Sequence, residues 1–294
     1  MKKIVCFGEV LWDLFGDKHL PGGAPMNVAL NLNQLGFHSQ MISKVGNDLS
    51  GKELLVYLKK RKMDMHLLSQ DKNLPTGKVI VDDSDHQNVK YDIVAPVAWD
   101  AIEWTEATQN AVDKAEAFIY GSLAARDVIS AVTLNKLLST TTLKIFDINI
   151  RAPHYKMNQM EDLLRQADIL KVNQEEVQLL AEYHNFSSEL NIASEKLAEA
   201  YGLKMVCITR GSDGALLYYQ GKYYEHPSYQ VVVKDTVGSG DAFLSGLVYS
   251  YLHNMSPHKM LNFACAMGAL VATHQGATPT YSLQDINSII DHGA

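Results

Sequence analysis

Short runs of β-branched and aromatic residues alternate with stretches whose apolar positions recur every three or four residues, almost from end to end. Residues 4–7 (Ile-Val-Cys-Phe) read as a strand that stops at Gly8. Residues 27–36 carry Val28, Leu32 and Leu35 at helical spacing and close on Gly36. Residues 40–45 are strand-like, and 50–62 place Leu54, Leu55 and Leu58 on one helical face. Later strands are expected at 117–120, 144–148, 169–172 and 205–209, with helical patterns near 126–138, 158–166, 174–183 and 189–201. That alternation predicts an α/β fold, a mostly parallel sheet whose crossover helices lie against it. Ligands in such folds sit beyond the carboxyl ends of the strands, so the residues that follow each strand carry the most information.

Two regions break the rhythm. Residues 76–94 alternate with period two around a polar turn at 82–88 and are followed by no crossover helix, which predicts a hairpin joined by residues 11–17. It is either an edge decoration or a lid over the strand ends. Residues 215–226, with Gln220-Gly221-Lys222 at the bend, predict a second hairpin. With no low-complexity linker and no solenoid repeat, residues 1–294 are expected to form a single domain, its lid built from about 11–18 and 76–95.

Composition narrows the function classes. The chain has 294 residues, 47% hydrophobic and 20% charged, which excludes a disordered chain and suits one large core. A formal charge of −7 argues against nucleic acid or an anionic membrane as partner, but leaves room for a small anionic ligand. The three cysteines, Cys6, Cys207 and Cys265, each lie in an apolar run and read as buried hydrophobes in a reducing compartment. The start of the chain shows no signal sequence, and the longest apolar window, 264–273, is too short to cross a bilayer. A soluble, cytoplasmic protein is expected.

Some motifs fail on chemistry. Residues 46–52 (Gly-Asn-Asp-Leu-Ser-Gly-Lys) have the spacing of a phosphate-cradling P-loop, but Glu53 stands where a magnesium-binding hydroxyl is needed. Gly238-Ser239-Gly240 could open a dinucleotide fingerprint, but Phe243 occupies the third glycine position and would hold helix and strand apart. The eleven histidines form no zinc signature.

Residues 231–243 (Val-Val-Val-Lys-Asp-Thr-Val-Gly-Ser-Gly-Asp-Ala-Phe) are the most informative. A β run leads into a Gly-Ser-Gly turn and then a helix with Phe243, Leu244, Leu247 and Val248 on its apolar face. The backbone N–H groups of 238–241 would then stand free at a helix N-terminus, an anion site that needs no lysine. Asp241 shares that turn. A carboxylate beside an anion hole is what phosphoryl transfer to a hydroxyl requires, the one taking the proton and the other holding developing charge.

Weaker sites fall at other strand ends. Gly22-Gly23 enters a helix with Asn27 in its first turns, suited to the hydroxyls of a polyol or, equally, to a simple helix cap. Asp13 follows the first strand. Asn173 and Glu176 are spaced for magnesium's water shell, and equally for a capping box. Asp147-x-Asn149-x-Arg151 offers one guanidinium at the site edge, and Thr209 to Gly214 is a glycine-rich turn with room for a nucleotide.

On these residues the chain resembles the ribokinase-type (PfkB) carbohydrate kinase family over essentially its whole length. Gly22-Gly23-x-x-x-Asn27-x-Ala29 through Leu35-Gly36 is similar to its N-terminal signature, and Asp235 to Phe243 to its C-terminal one. Asn173 to Glu176 and Val45-Gly46-x-Asp48-x-x-Gly51 are further matches, the latter explaining the P-loop decoy. Gly-Gly-Ala-Pro-x-Asn-Val-Ala, Gly121-Ser122-Leu123 and residues 147–153 most resemble fructokinases. The resemblance implies a three-layer ribokinase-like α/β core with a small β lid, ATP as donor, Mg²⁺, and often a monovalent cation, K⁺, near Asp235. It implies Asp241 as general base, Gly238, Ser239 and Gly240 as anion hole, and Asp13, Gly23 and Asn27 as sugar contacts, with Arg151 beside them. Asn173, Thr209, Gly211 and Gly214 would hold the nucleotide, with Asn262 and Ala266 flanking adenine and Glu176 serving magnesium through water. Ser239 stands where the family more often has alanine. A homodimer through the lid is also implied.

The activity expected is phosphorylation of D-fructose to fructose 6-phosphate. The nearest alternatives are 2-keto-3-deoxygluconate, ribose or a nucleoside as acceptor; a carboxylated acceptor would want a cation, for which Lys90 and Arg126 are candidates. A non-catalytic sugar-binding regulator is opposed by Asp241 and its glycines, and a nicotinamide oxidoreductase by Phe243.

Overall fold

Alternate residues of β1 (Lys3–Phe7) face opposite layers: Ile4 and Cys6 pack into one apolar cluster, Val5 and Phe7 into the other. A strand that is apolar on both faces belongs inside a covered sheet. β1 pairs in parallel with β4 (His38–Gly46) on one side and with β8 (Ala117–Gly121) on the other. The computed structural model describes residues 1–82 and 90–292, so most of the expected turn at 82–88 lies outside the described residues.

The remaining strands of the main sheet are β5 (Leu68–Asp71), β9 (Leu143–Asp147), β10 (Ile169–Asn173), β11 (Met205–Thr209), β12 (Ala215–Tyr219) and β13 (Lys222–His226). Their order is β13-β12-β11-β10-β9-β8-β1-β4-β5, all parallel except β12, which pairs antiparallel with both β11 and β13 near one edge. One face is covered by α1 (Ala24–Gln34), α2 (Leu49–Lys60), α8 (Ser239–Leu252), α9 (Pro257–Ala272) and α10 (Leu283–His292). The other carries α3 (Glu106–Asp113), α4 (Val128–Leu137), α5 (Met157–Leu164), α6 (Gln174–Tyr183) and α7 (Leu190–Tyr201). This is the three-layer α/β arrangement. Among the described residues no helix is long and apolar enough to cross a membrane.

A second sheet has the order β3-β2-β6-β7, from β2 (Leu11–Phe15), β3 (Lys18–Gly22), β6 (Gly77–Asp82) and β7 (Lys90–Ile93). β2 runs parallel to β6, which brings the chain directly after β1 together with a hairpin some sixty residues later (Leu11 opposite Gly77). The 46–52 segment anchors this sheet instead of cradling phosphate. Asp48 caps α2 by accepting the Gly51 N–H at 2.7 Å, and it also accepts the Thr76 N–H at 2.8 Å and hydroxyl at 2.6 Å. A Cβ on Gly51 would lie 2.1 Å from the Gly46 carbonyl oxygen, so the glycine spacing follows from close packing.

Three expectations are corrected. Residues 231–233 are not a strand: Val232 and Val233 are 83% and 57% exposed, and the chain is tied down just beyond, by the Lys234 N–H to the Ala272 carbonyl at 2.8 Å. Strand propensity reflects packing on a half-buried pleated surface, and Val232 and Val233 are exposed with no such surface against them. α1 starts at Ala24, earlier than expected, because Pro25 fits a first helical turn. Arg126 is no free cation: Nε and Nη2 grip Asp100 at 2.7 and 2.8 Å, Nη2 also donates to the Val94 carbonyl at 2.8 Å, and the guanidinium lies 3.9 Å from the centre of the Trp99 ring. The side chain of Lys90, the other candidate, is outside the described residues.

Arg126 and Asp100 side chains are 5% and 4% exposed, so removing one leaves the other charged and buried. Asp100→Ala is expected to cost about 3–5 kcal/mol in urea unfolding, whereas breaking the exposed Lys196–Glu199 pair should leave the unfolding midpoint where it is.

Candidate active site

Two helices begin at the same place. Gly23 precedes α1 with φ 115°, and a Cβ there would fall 2.4 Å from the Glu9 carbonyl oxygen. Gly238 precedes α8 with φ 78°, and its Cβ would fall 2.5 Å from Ala277 Cα. Both need positive φ and tolerate no side chain, which is why glycine stands at each entrance. The helices lie side by side, with Ser245 Oγ donating to the Val28 carbonyl at 3.3 Å, so two positive helix ends open onto one space.

Across that junction Asn27 Nδ2 donates to Asp241 Oδ2 at 2.8 Å. Asn27 is buried inside α1 rather than at its cap, so the helix-cap alternative does not apply. Removal from water pushes the Asp241 carboxyl up to about 6, with the charge of Asp147 adding to it, while the Asn27 hydrogen bond, Lys171 and Arg151 pull the other way. Asp13 is also raised to about 6 and Glu9 to about 7, in both cases by burial first and the Asp241 charge second among the raising causes. One cavity of about 580 Å³ gathers Asp13, Gly23, Asn27, Arg151 and Asp241, and reaches Gly238, Gly240 and Asn173. A second, of about 360 Å³ and mostly apolar, takes in Gly214, Phe243, Gly268 and Ala269. The two share Thr209, Gly211, Thr236 and Gly240, with Asp241 immediately next in the chain.

The turn itself is more restricted than its sequence suggests. The Ser239 N–H is used, donating to the Thr236 carbonyl at 3.1 Å, which leaves the donors of Gly238, Gly240 and Asp241 for a ligand. Ser239 Oγ is buried without a partner and lines the apolar cavity. Asp235 bonds the Val237 and Gly276 N–H groups, both at 3.0 Å, and so pins the loop. Asn173 and Glu176 form a reciprocal capping box at 2.8 Å each way, and the second Glu176 oxygen accepts the Ile150 N–H at 2.8 Å. Burial raises the Glu176 carboxyl, partly offset by Lys171.

On α9 the cavity wall is Cys265, Gly268, Ala269 and Ala272, a stripe at helical spacing. Ala266, expected there, is one residue and about 100° further round, fully buried in the core. Asn262 does not line the cavity either; it accepts the hydroxyl of Tyr229, which does. Two site residues carried no motif. Glu9 directly follows β1, a strand-end position that could have found it. Lys171 sits in an apolar strand, where its buried Nζ bonds Asp147 at 2.9 Å, and only the fold shows it lining the cavity.

Comparison with known proteins agrees with this geometry. Residues 1–283 match the model of the pfkB family of carbohydrate kinases. A putative sugar kinase of Pyrococcus horikoshii is 30% identical, across 94% of this chain and 92% of its own. The fructokinase of Salmonella typhimurium is 28% identical, across 97% and 98%. A crystal structure of fructokinase with bound ATP from Xylella fastidiosa superposes with a TM-score of 0.87 at 23% identity, covering 98% of both chains. A match over nearly the full length, together with a carboxylate at the mouth of two glycine-gated helices, places the chain in the pfkB carbohydrate kinase family, as a phosphotransferase acting on an alcohol group.

Proposed function

We propose that the protein transfers the γ-phosphoryl group of ATP to D-fructose, giving fructose 6-phosphate. The observation that carries this reading is the position of Asp241 at the seam between a polar cavity suited to a sugar and an apolar one suited to a nucleotide base. Asp241 accepts the proton of the acceptor hydroxyl. The hydroxyl oxygen then forms its bond to the γ-phosphorus as the bond to ADP breaks. The N–H donors of Gly238 and Gly240 and the positive end of α8 hold the charge on the migrating group.

Magnesium, arriving with the nucleotide, would neutralise phosphate charge. Glu176 fits that ion through water, since each of its oxygens already accepts a backbone N–H and keeps one lone pair. Asp235 is the carboxylate beside which K⁺ would sit. Thr209, Gly211 and Gly214 support the phosphates and ribose, and Asn173 closes the same side.

Asp13, Phe15, Val79 and Ile93 bring the small sheet over the acceptor cavity, which supports its reading as a lid that excludes water. Leu20 and Ile80 are 38% and 48% exposed on that sheet, in keeping with a homodimer through the lids. A cytoplasmic setting fits three buried, unpaired cysteines. The acceptor cavity holds the carboxylates of Asp13 and Asp241 against Arg151 and an already paired Lys171, which favours a neutral sugar over 2-keto-3-deoxygluconate. Ribose and a nucleoside are neutral as well and belong in the same test.

Measured as ADP release, fructose is expected to exceed 2-keto-3-deoxygluconate, ribose and adenosine by at least about tenfold in kcat/KM, a difference of about 1.4 kcal/mol. A preference for ketodeoxygluconate, or sugar binding without ADP release, would refute the proposal. Asp241→Asn is expected to lower kcat by about 10²–10⁴ while fructose affinity changes little. Because the base must be ionised, kcat/KM should rise as pH passes upward through about 6. The same shift makes ionised Asp241 a cost to the fold, since its folded value of about 6 lies above the ordinary carboxylate value. Asp241→Asn should therefore melt higher than wild type at pH 8, and the difference should vanish as pH falls below about 4.

A further inference from the structure

Glu9 is the one carboxylate of the acceptor cavity that no motif and no step above employs. It is 3% exposed, and its Oε2 has no hydrogen-bond partner in the protein. The buried ion pairs near the site are Arg126–Asp100 and Lys171–Asp147, and Glu9 joins neither. On its far side it borders a satellite cavity of about 10 Å³, shared with Asp147 and walled by Ile119, Tyr120 and Leu244. That space is at the threshold for a single water, so Glu9 is hydrated only from the acceptor cavity, the space the sugar would fill. Burial opposes a charge on Glu9 more than the backbone N–H groups of Glu9 and Ala24 and the Arg151 guanidinium favour one, and a protonated carboxyl is a hydrogen-bond donor facing the cavity.

We propose that Glu9 is a substrate-contacting residue of the acceptor site that works in its neutral form, donating its carboxyl hydrogen to a sugar hydroxyl while Asp241 accepts one. The inference rests on the fructokinase reading. Asp241 from α8 and Asp13 from β2 face the group with negative charge, Asp147 from β9 shares its satellite cavity, and Arg151 from the loop after β9 opposes them. Burial pushes both carboxyls up, Glu9 to about 7 and Asp241 to about 6, so Glu9 is the one that holds its proton to higher pH. Neighbouring carboxyls with separated titrations divide donor and acceptor roles. Ionisation of Glu9 removes the donor and places a second negative charge where the phosphoryl group arrives.

The test compares wild type, Glu9→Gln and Glu9→Ala. In the wild type kcat/KM for fructose should fall again above about pH 7, and Glu9→Gln, which donates a hydrogen at any pH, should lose that fall. Glu9→Ala should raise KM for fructose about tenfold above that of Glu9→Gln, with a smaller change in kcat. Equal KM values for the two variants, or an alkaline limb that persists in Glu9→Gln, would overturn the proposal. Carboxyl ¹³C titration of the sugar-free protein reads Glu9 without any substrate: a Glu9 carboxyl found ionised at pH 6 overturns the proposal even in an active enzyme. Failure of the wild type to release ADP with fructose would instead overturn the functional reading and leave that titration unchanged.

Discussion

A neutral amide holds the central carboxylate. The bond from Asn27 to Asp241 fixes where the acid points through a neutral donor and not an ion pair, and a directly paired cation would hold the carboxyl in its ionised, weakly basic form. The nearest buried ammonium, Lys171, is bound to Asp147. Under the proposed reaction, this keeps Asp241 on the wall of the acceptor cavity while limiting the attraction that would make it a poor proton acceptor. Keeping Asp241 oriented but basic is the constraint on which the rest of the architecture depends.

That constraint explains the glycines. For Asn27 to reach Asp241, α1 and α8 must begin side by side, and each must be entered by a backbone turn with positive φ against packed neighbours. The same helix start leaves the N–H donors of Gly240 and Asp241 without intrahelical acceptors, so the tight turn and a helix end suited to an anion fall together. The small sheet depends on a similar economy: Asp48 caps α2 and grips Thr76, while Arg126 ties the end of the hairpin, at Val94, to a buried carboxylate. A segment that looks like a nucleotide motif is an anchor for the small sheet, because a glycine spacing reports close backbone contact and not what is contacted.

Much of the fold was legible because its signals are local. The alternation of strands and helices, the parallel core, the 215–226 hairpin and the capping box at Asn173 all come from periodicity or from residues three or four apart. Short polar elements such as β5 and α3 were not, since too few apolar positions recur in them to show a period. The valines at 231–233 misled for the opposite reason: strand propensity without a surface to pack against produces no strand.

By itself the sequence determined the layer order, the two glycine-led helix starts and the acid placed in the second of them, since each is written within a few consecutive residues. The tertiary structure decided which groups meet. Asn27 and Asp241 are 214 positions apart, and Lys171 and Asp147 are 24 apart on neighbouring strands. Whether Ala266 faces a cavity or the core depends on the rotation of α9 against α8, and whether Glu9 holds a proton depends on how completely four separate segments exclude water. Contacts and desolvation are properties of chains brought together, and no local pattern encodes them.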